Sequence, residues 1–269
     1  MRVALVLVLV SSLMGIAASQ ESSQETAPPV RLKTLTIQAT DLPTANWTPV
    51  TSSLEGGTFP LSELQLRIEQ KVRDNGYYFA HADTPRLENI HREGAAESAD
   101  VSVSIQAGSQ YHAGEITFRG ATAFPKEKLR GLFLSDPGSV FSPTAIGAGL
   151  DKLKSLYEAD GYADVGAVPS IAVDEQKHVI DVSVEIEEGL PYLFGPLTFE
   201  GNEPSPGTSK TLLAAWKQLE GKRYNPDLLK KWLAANAPKA AAGSPPIHPH
   251  AEGIADPDAH LMDVRLNFE

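Results

Sequence analysis

The side chains best suited by type to do chemistry are gathered late in the chain: His248-Pro249-His250, then Asp256, Asp258 and His260. Imidazoles and carboxylates in one stretch could ligate a metal ion or pass a proton in a hydrolytic step. The segment lacks the ordered spacing of a metal site, and it is rich in Ala, Pro and Gly. It reads as a solvated loop, with Asp256 and Asp258 as turn residues. No G-x-S-x-G elbow, Walker loop or H-E-x-x-H occurs. The 269 residues include no cysteine, so thiolate ligands, thiol nucleophiles and disulfides are excluded. No catalytic, cofactor-binding or metal-ligating residue is assigned, and no cofactor is expected. A hydrolase acting through the His/Asp segment stays as a minor alternative.

With no site to organise the reading, the elements must supply it. The formal net charge is -11, which speaks against a nucleic-acid partner. Residues 1–19 have the form of a secretory signal peptide. Arg2 opens them, Val3 to Met14 are mostly apolar, and Ala17-Ala18-Ser19 is a small-residue cleavage pattern. Residues 20–29 are rich in Ser, Gln, Glu and Pro and read as a disordered lead-in. No later apolar run is long enough for a transmembrane helix, so none is expected in the mature chain.

The rest repeats. Asp100-Val-Ser-Val returns as Asp181-Val-Ser-Val, Gly108-x-x-Tyr111 as Gly189-x-x-Tyr192, and Ile116-Thr-Phe-Arg-Gly120 as Leu197-Thr-Phe-Glu-Gly201. All three pairs are 81 residues apart. Gly138-Ser-Val-Phe-Ser-Pro143 returns as Gly221-Lys-Arg-Tyr-Asn-Pro226, with Gly57-Thr-Phe-Pro60 as a looser early copy. A fixed period of this length marks tandem units. The expected units are 30–108, which is divergent, then 109–190 and 191–269.

The middle unit reads most cleanly. Glu115 to Arg119 suit a strand, and Pro125 to Leu134 a short helix. Ser142 and Pro143 form a natural start to a second helix. Its stripe Ile146, Leu150, Leu153 and Tyr157 has helical spacing, and Gly161 stops it. Val165 to Val173 suit a strand interrupted by Pro169, and Asp174 to His178 a turn. Ile180, Val182, Val184 and Ile186 alternate with polar residues as a half-buried strand. The last unit offers a helix from Ser209 to Leu219 and a second capped by Asn225-Pro226. Between Pro238 and His260 only a short or irregular strand is expected. In the first unit, a helix within Thr44 to Gly57 is poorly supported. The fold class is α+β. Tandem β-α-α-β-β units each pack two helices on one face of a three-stranded mixed sheet.

These residues resemble a known family. The β-α-α-β-β order, Tyr157-x-x-x-Gly161-Tyr162 at a helix exit, Glu188-Gly189-x-x-Tyr192 and Phe199-Glu200-Gly201-Asn202 are similar to POTRA, the polypeptide-transport-associated repeats of the Omp85/BamA superfamily. The resemblance covers Val30 to Glu269, without the C-terminal barrel that usually follows. It implies a non-enzymatic periplasmic scaffold, with outer-membrane protein clients or an assembly complex or barrel as partners. Peripheral association with the outer membrane fits that setting. Clients would be held by adding a strand to an open sheet edge. A soluble companion of a split Omp85 protein, docked on a separate barrel, is the alternative.

If the last strand of the middle unit is central, Val168, Ser170, Ile171 and Val173 form the candidate client-binding edge. Pro169 would limit uncontrolled pairing there. Gly108, Tyr111, Gly189 and Tyr192 form the candidate hinges. Glu185, Glu187 and Glu188 read as the polar face of a strand, Gly161-Tyr162 as a helix stop with a packed aromatic, and Trp216 and Trp232 as core.

Overall fold

The computed structural model describes residues 29–42, 46–93, 96–201, 205–237 and 249–268. The expected leader, residues 1–19, lies outside them, as do lead-in residues 20–28 and His248. In chain order the elements are β1 (Val30–Ala39), α1 (Thr48–Ser52), β2 (Thr58–Phe59), α2 (Leu61–Asp74), β3 (His81–Ala82), β4 (Arg86–Glu93) and β5 (Ala96–Gln106). Next come β6 (His112–Arg119), α3 (Lys126–Arg130), α4 (Pro143–Glu158), β7 (Gly166–Asp174) and β8 (Val179–Glu187). Last are β9 (Leu193–Gly201), α5 (Pro206–Trp216), α6 (Pro226–Asn236), β10 (Pro249–Asp256) and β11 (Leu261–Phe268).

The class is α+β as expected, and the order β-α-α-β-β holds from β6 to β8 and from β9 to β11. The first stretch departs from it. Its second strand is split into β3 and β4 around Asp83-Thr84-Pro85, and β2 is added beside β1. Among the described residues there are three sheets, ordered β2-β1-β5-β3 with β4 also on β5, β6-β8-β7, and β10-β11-β9. In each, the last strand in sequence lies between the first and an outer one. β1 and β5 run parallel, as do β9 and β11, while β4 and β10 pair antiparallel with their neighbours. These sheets are therefore mixed.

By contacts the chain divides into two compact units. One comprises Met1–Thr117, Phe133–Gly149 and Pro169–Ser183; the other comprises Phe118–Leu132, Leu150–Val168 and Val184–Glu269. The first has a core of Leu64, Ile68 and Val72 from α2 against Leu32, Leu35, Val101, Val103 and Ile105. This is the i, i+4 stripe of a helix laid on alternate residues of two strands. The second has a core of Trp216, Trp232, Leu212 and Leu229 against Phe194, Val264, Leu266 and Phe268. Trp216 and Trp232 meet edge to face at 4.9 Å, and Trp216 Nε1 donates to the Gly195 carbonyl at 2.9 Å. Both tryptophans are core, as the sequence indicates.

The period is written in hydrogen bonds as well as in residues. The amides of Leu32, Ala113 and Phe194 donate to the carbonyls of Gly57, Ser139 and Lys222. Those of Gly56, Gly138 and Gly221 return to the carbonyls of Leu32, Ala113 and Phe194. All three glycines have positive φ, at 80°, 84° and 76°. Gly56, not Gly57, is thus the counterpart of Gly138.

Other expectations need correction. A first helix within Thr44 to Gly57 does form, as the five-residue α1, started by the Asn46 side chain accepting from the Thr48 amide at 3.0 Å. α5 starts three residues before the expected Ser209, because Ser205 caps it by accepting from the Thr208 amide and Pro206 fits the first turn. β10 is a regular eight-residue strand rather than a short or irregular one, paired from Pro249↔Phe268 to Asp256↔Leu261. Its proline sits at the first position of an outer strand, where proline is tolerated.

An aspartate recurs on the last strand of each sheet. Opposite Asp100 and Asp263 the pairing slips, between Leu32 and Thr34 and between Met262 and Val264 respectively. Asp100 Oδ1 accepts from Thr34 Oγ1 at 2.7 Å, and Asp181 Oδ1 from the Glu115 amide at 2.8 Å. Asp263 Oδ1 is buried without a partner. The residue 81 places after Glu115 is Pro196, which has no amide to give.

Candidate functional site

β7 is an outer strand, and it carries Val168, Ser170, Ile171 and Val173, the four residues singled out as an edge. Exposed and half-buried residues alternate along it, and Val168 is 55% exposed. Ser170 Oγ donates to the Ser183 carbonyl at 3.2 Å. An outer strand leaves one row of backbone donors and acceptors without a strand partner, and that row can pair with an extended segment of almost any sequence. Pro169 removes one donor from β7. β4 and β10, each paired with the last strand of its sheet, are likewise among the outer strands of the other two sheets.

The residues named as hinges sit at two joints of the same construction. Tyr111 is 6% exposed and its amide donates to the Gly76 carbonyl at 2.8 Å. Tyr192 is 1% exposed and its amide donates to the Gly161 carbonyl, also at 2.8 Å. Gly76 and Gly161 end α2 and α4, both at φ 90°. A Cβ on either would sit 2.8 or 2.9 Å from the tyrosine carbonyl that follows. Glycine is required here twice over, for its backbone angle and for the close approach. Gly108 and Gly189 also have positive φ, at 71° and 66°.

At the first joint, Asp74 reaches the start of α4. Its carboxylate accepts from Ser142 Oγ at 2.7 Å, from the Thr144 amide at 3.0 Å and from Thr144 Oγ1 at 2.8 Å. At the second, Arg223 Nη1 donates to Asp160 Oδ2 at 2.6 Å, and its guanidinium lies over the Tyr162 ring at 5.6 Å. Asn225 Nδ2 donates to the Ala159 carbonyl at 2.6 Å while its Oδ1 caps α6. Tyr192 Oη donates to Asp164 at 2.6 Å; that bond to a carboxylate, then burial, pushes the hydroxyl's pKa upward. Gly161-Tyr162 is thus a helix stop with a packed aromatic, and it receives the next stretch as well.

Glu188 was read as part of a polar strand face, and the structure corrects this. Its carboxylate accepts from the amides of Thr122 at 2.7 Å and Ala123 at 2.8 Å, from Thr122 Oγ1, and from Tyr157 Oη at 2.7 Å. Burial alone would raise its pKa, but those donors outweigh burial and hold the carboxyl at about 2. Tyr157 is pushed upward, first by burial and then by its bond to Glu188. Asp41 makes the same closure in reverse, accepting from the amides of Ala107 at 3.0 Å and Gly108 at 2.7 Å. Asp41 precedes Thr122 by 81 residues and Ala107 precedes Glu188 by 81, so the clasp recurs with donor and acceptor exchanged. Glu185 and Glu187 are exposed strand residues, as read.

The His/Asp segment resolves into a turn that also repeats. Asp174 caps the amides of Gln176 and Lys177, and Asp256 those of Asp258 and Ala259. His178 and His260 close the two turns at φ 53° and 51°, and their carbonyls accept from the amides of His112 and Leu193. The His260 ring faces Tyr192 at 5.9 Å, and His250 is exposed on β10. Among the described residues no three His, Cys, Asp or Glu side chains converge as metal ligands. The Asp-x-x-x-His spacing at 174–178 and 256–260 was available in the sequence as the signal for this turn.

Comparison with known proteins bears on the fold. Residues 111–189 match the family model POTRA, described as surface antigen variable number repeat. The outer membrane protein assembly factor BamA of Buchnera aphidicola subsp. Acyrthosiphon pisum (strain APS) is 23% identical over 181 residues, 66% of this chain. The match spans only 28% of that protein's length. The crystal structure of Haemophilus influenzae BamA POTRA3-5 superposes with a TM-score of 0.55 over 90% of this chain and 96% of that one. At 16% identity, that likeness is one of fold. No described helix is long and apolar enough to cross a membrane.

Proposed function

We propose, from the POTRA domain that residues 111–189 form, that the chain is a non-enzymatic binding scaffold of three tandem units, 30–108, 109–190 and 191–269. It acts in the periplasm in outer-membrane protein assembly or export. Its partners are outer-membrane polypeptides or the complex that assembles them. The observation that carries the reading is the open outer strand β7, bearing Val168, Ser170, Ile171 and Val173 in a sheet of this family. Extended client segments add to that edge through backbone hydrogen bonds, which accounts for breadth of recognition without a site of fixed chemistry. The amides of Tyr111 and Tyr192 are anchored on Gly76 and Gly161, so bending at Gly108 or Gly189 requires those bonds to open. The test is capture of tagged protein from periplasm. Recovery of outer-membrane polypeptides or their assembly machinery is expected, and recovery of neither overturns the reading.

A further inference from the structure

The two joints share a backbone but not a chemistry. In both, a helix-ending glycine carbonyl takes the amide of a buried tyrosine. A second residue then seats on that glycine: a Cβ on Gly76 would lie 2.9 Å from Val140 Cγ1, and one on Gly161 would lie 2.9 Å from Arg223 Cγ. Val140 and Arg223 are equivalent, as are Ser142 and Asn225, and Thr144 and Asp227. On the receiving side Asp74-Asn75 is equivalent to Ala159-Asp160.

We infer that each joint is keyed to the segment it now holds, so that the packing of each helix exit against its entry segment is specified by complementary side chains. In the first joint an acid, Asp74, receives three hydrogen bonds from the Ser142–Thr144 helix start. In the second joint an alanine stands at that place, and the acid one residue on, Asp160, takes the arginine. Exchanging the segments fails both ways. Asp227 brought to Asp74 would set carboxylate against carboxylate, and Arg223 would meet Asn75 instead of an acid. Ser142 and Thr144 brought to Ala159 would find no carboxylate, and Val140 would leave Asp160 without its cation. Matched contacts combined with a repulsive mismatch are how a binding surface rejects the wrong partner. Here the partner is a segment of the same chain.

The inference rests on the three-unit reading above, which fails separately if the Tyr111 and Tyr192 amides show no protection from hydrogen exchange in the unaltered chain. The test is amide exchange of the full chain by NMR. V140R/S142N/T144D, which gives the first joint the second joint's segment, is expected to lower Tyr111 protection about ten-fold or more, since hydrogen bonds to a charged group are lost. Tyr192 protection stays unchanged. Adding D74A/N75D, which supplies the matching receiver, restores Tyr111 protection. Full protection in the triple variant overturns the inference, as does failure of the added pair to restore it while Tyr192 stays protected. Should the triple variant lose protection at both tyrosines, T144D and T144D/D74N carry the same question. T144D lowers Tyr111 protection and D74N relieves it; equal protection in the two overturns the inference.

Discussion

The amide of Tyr192 donates to the carbonyl of Gly161 at 2.8 Å, across a glycine held at φ 90°. The same bond joins Tyr111 to Gly76. Gly161→Ala and Gly76→Ala each place a Cβ under 3 Å from the following tyrosine's carbonyl. Each is expected to lower unfolding free energy by about 1–3 kcal/mol. Gly147 in α4 has open space around its Cβ position. Gly147→Ala is expected to stabilise by about 0.4–1 kcal/mol. Urea unfolding midpoints check all three, and equal effects at Gly161 and Gly147 would refute the joint geometry.

Glu188 makes folding dependent on pH in a definite direction. Its folded carboxyl titrates at about 2, below the ordinary value of 4.5. Its contribution is therefore fully present above pH 4.5 and is lost as pH falls toward 2. Glu188→Gln is expected to cost about 1–3 kcal/mol at neutral pH, where charged hydrogen bonds are lost. The gap from the parent protein should close on acidification through that window. Stability measured from pH 7 to pH 2 checks it; a gap that widens on acidification contradicts the assignment.

Pro196 leaves Asp263 Oδ1 buried and unpaired. Pro196→Glu copies the arrangement at Glu115 and Asp181, where the amide reaches the carboxylate at 2.8 Å. A net gain of about 1 kcal/mol is expected, the hydrogen bond exceeding the entropy that proline confers. Denaturant titration of Pro196→Glu in the parent and in an Asp263→Ala background checks it. The gain should vanish in the second.

Much of this was legible because the period carries it. The spacing of Gly108-x-x-Tyr111 and Gly189-x-x-Tyr192, the caps at Ser142 and Asn225 and the stop at Gly161 are local signals, and each lies where its chemistry requires. The stripe from Ile146 to Tyr157 was legible for the same reason: Ile146, Leu153 and Tyr157 are buried. β10 was not legible, because its Pro, Gly and Ala residues carry little strand propensity and the pairing with β11 decides its state. Glu188 was hidden within a run of glutamates. Its role depends on Thr122, which is 66 residues away. Comparison with Asp41 and Ala107 at the same spacing was the signal that could have exposed it.

The edge of β7 is the centre of the functional account, and crosslinking tests it most directly. A photoreactive residue at Ser170 on β7, or at exposed Lys154 on α4 as a control, would be introduced into the full chain in cells. The account predicts adducts with outer-membrane polypeptides from position 170 and not from position 154, and their loss when Ile171→Pro removes a further backbone donor from β7. Adducts absent at 170, or the same at both positions, would contradict it.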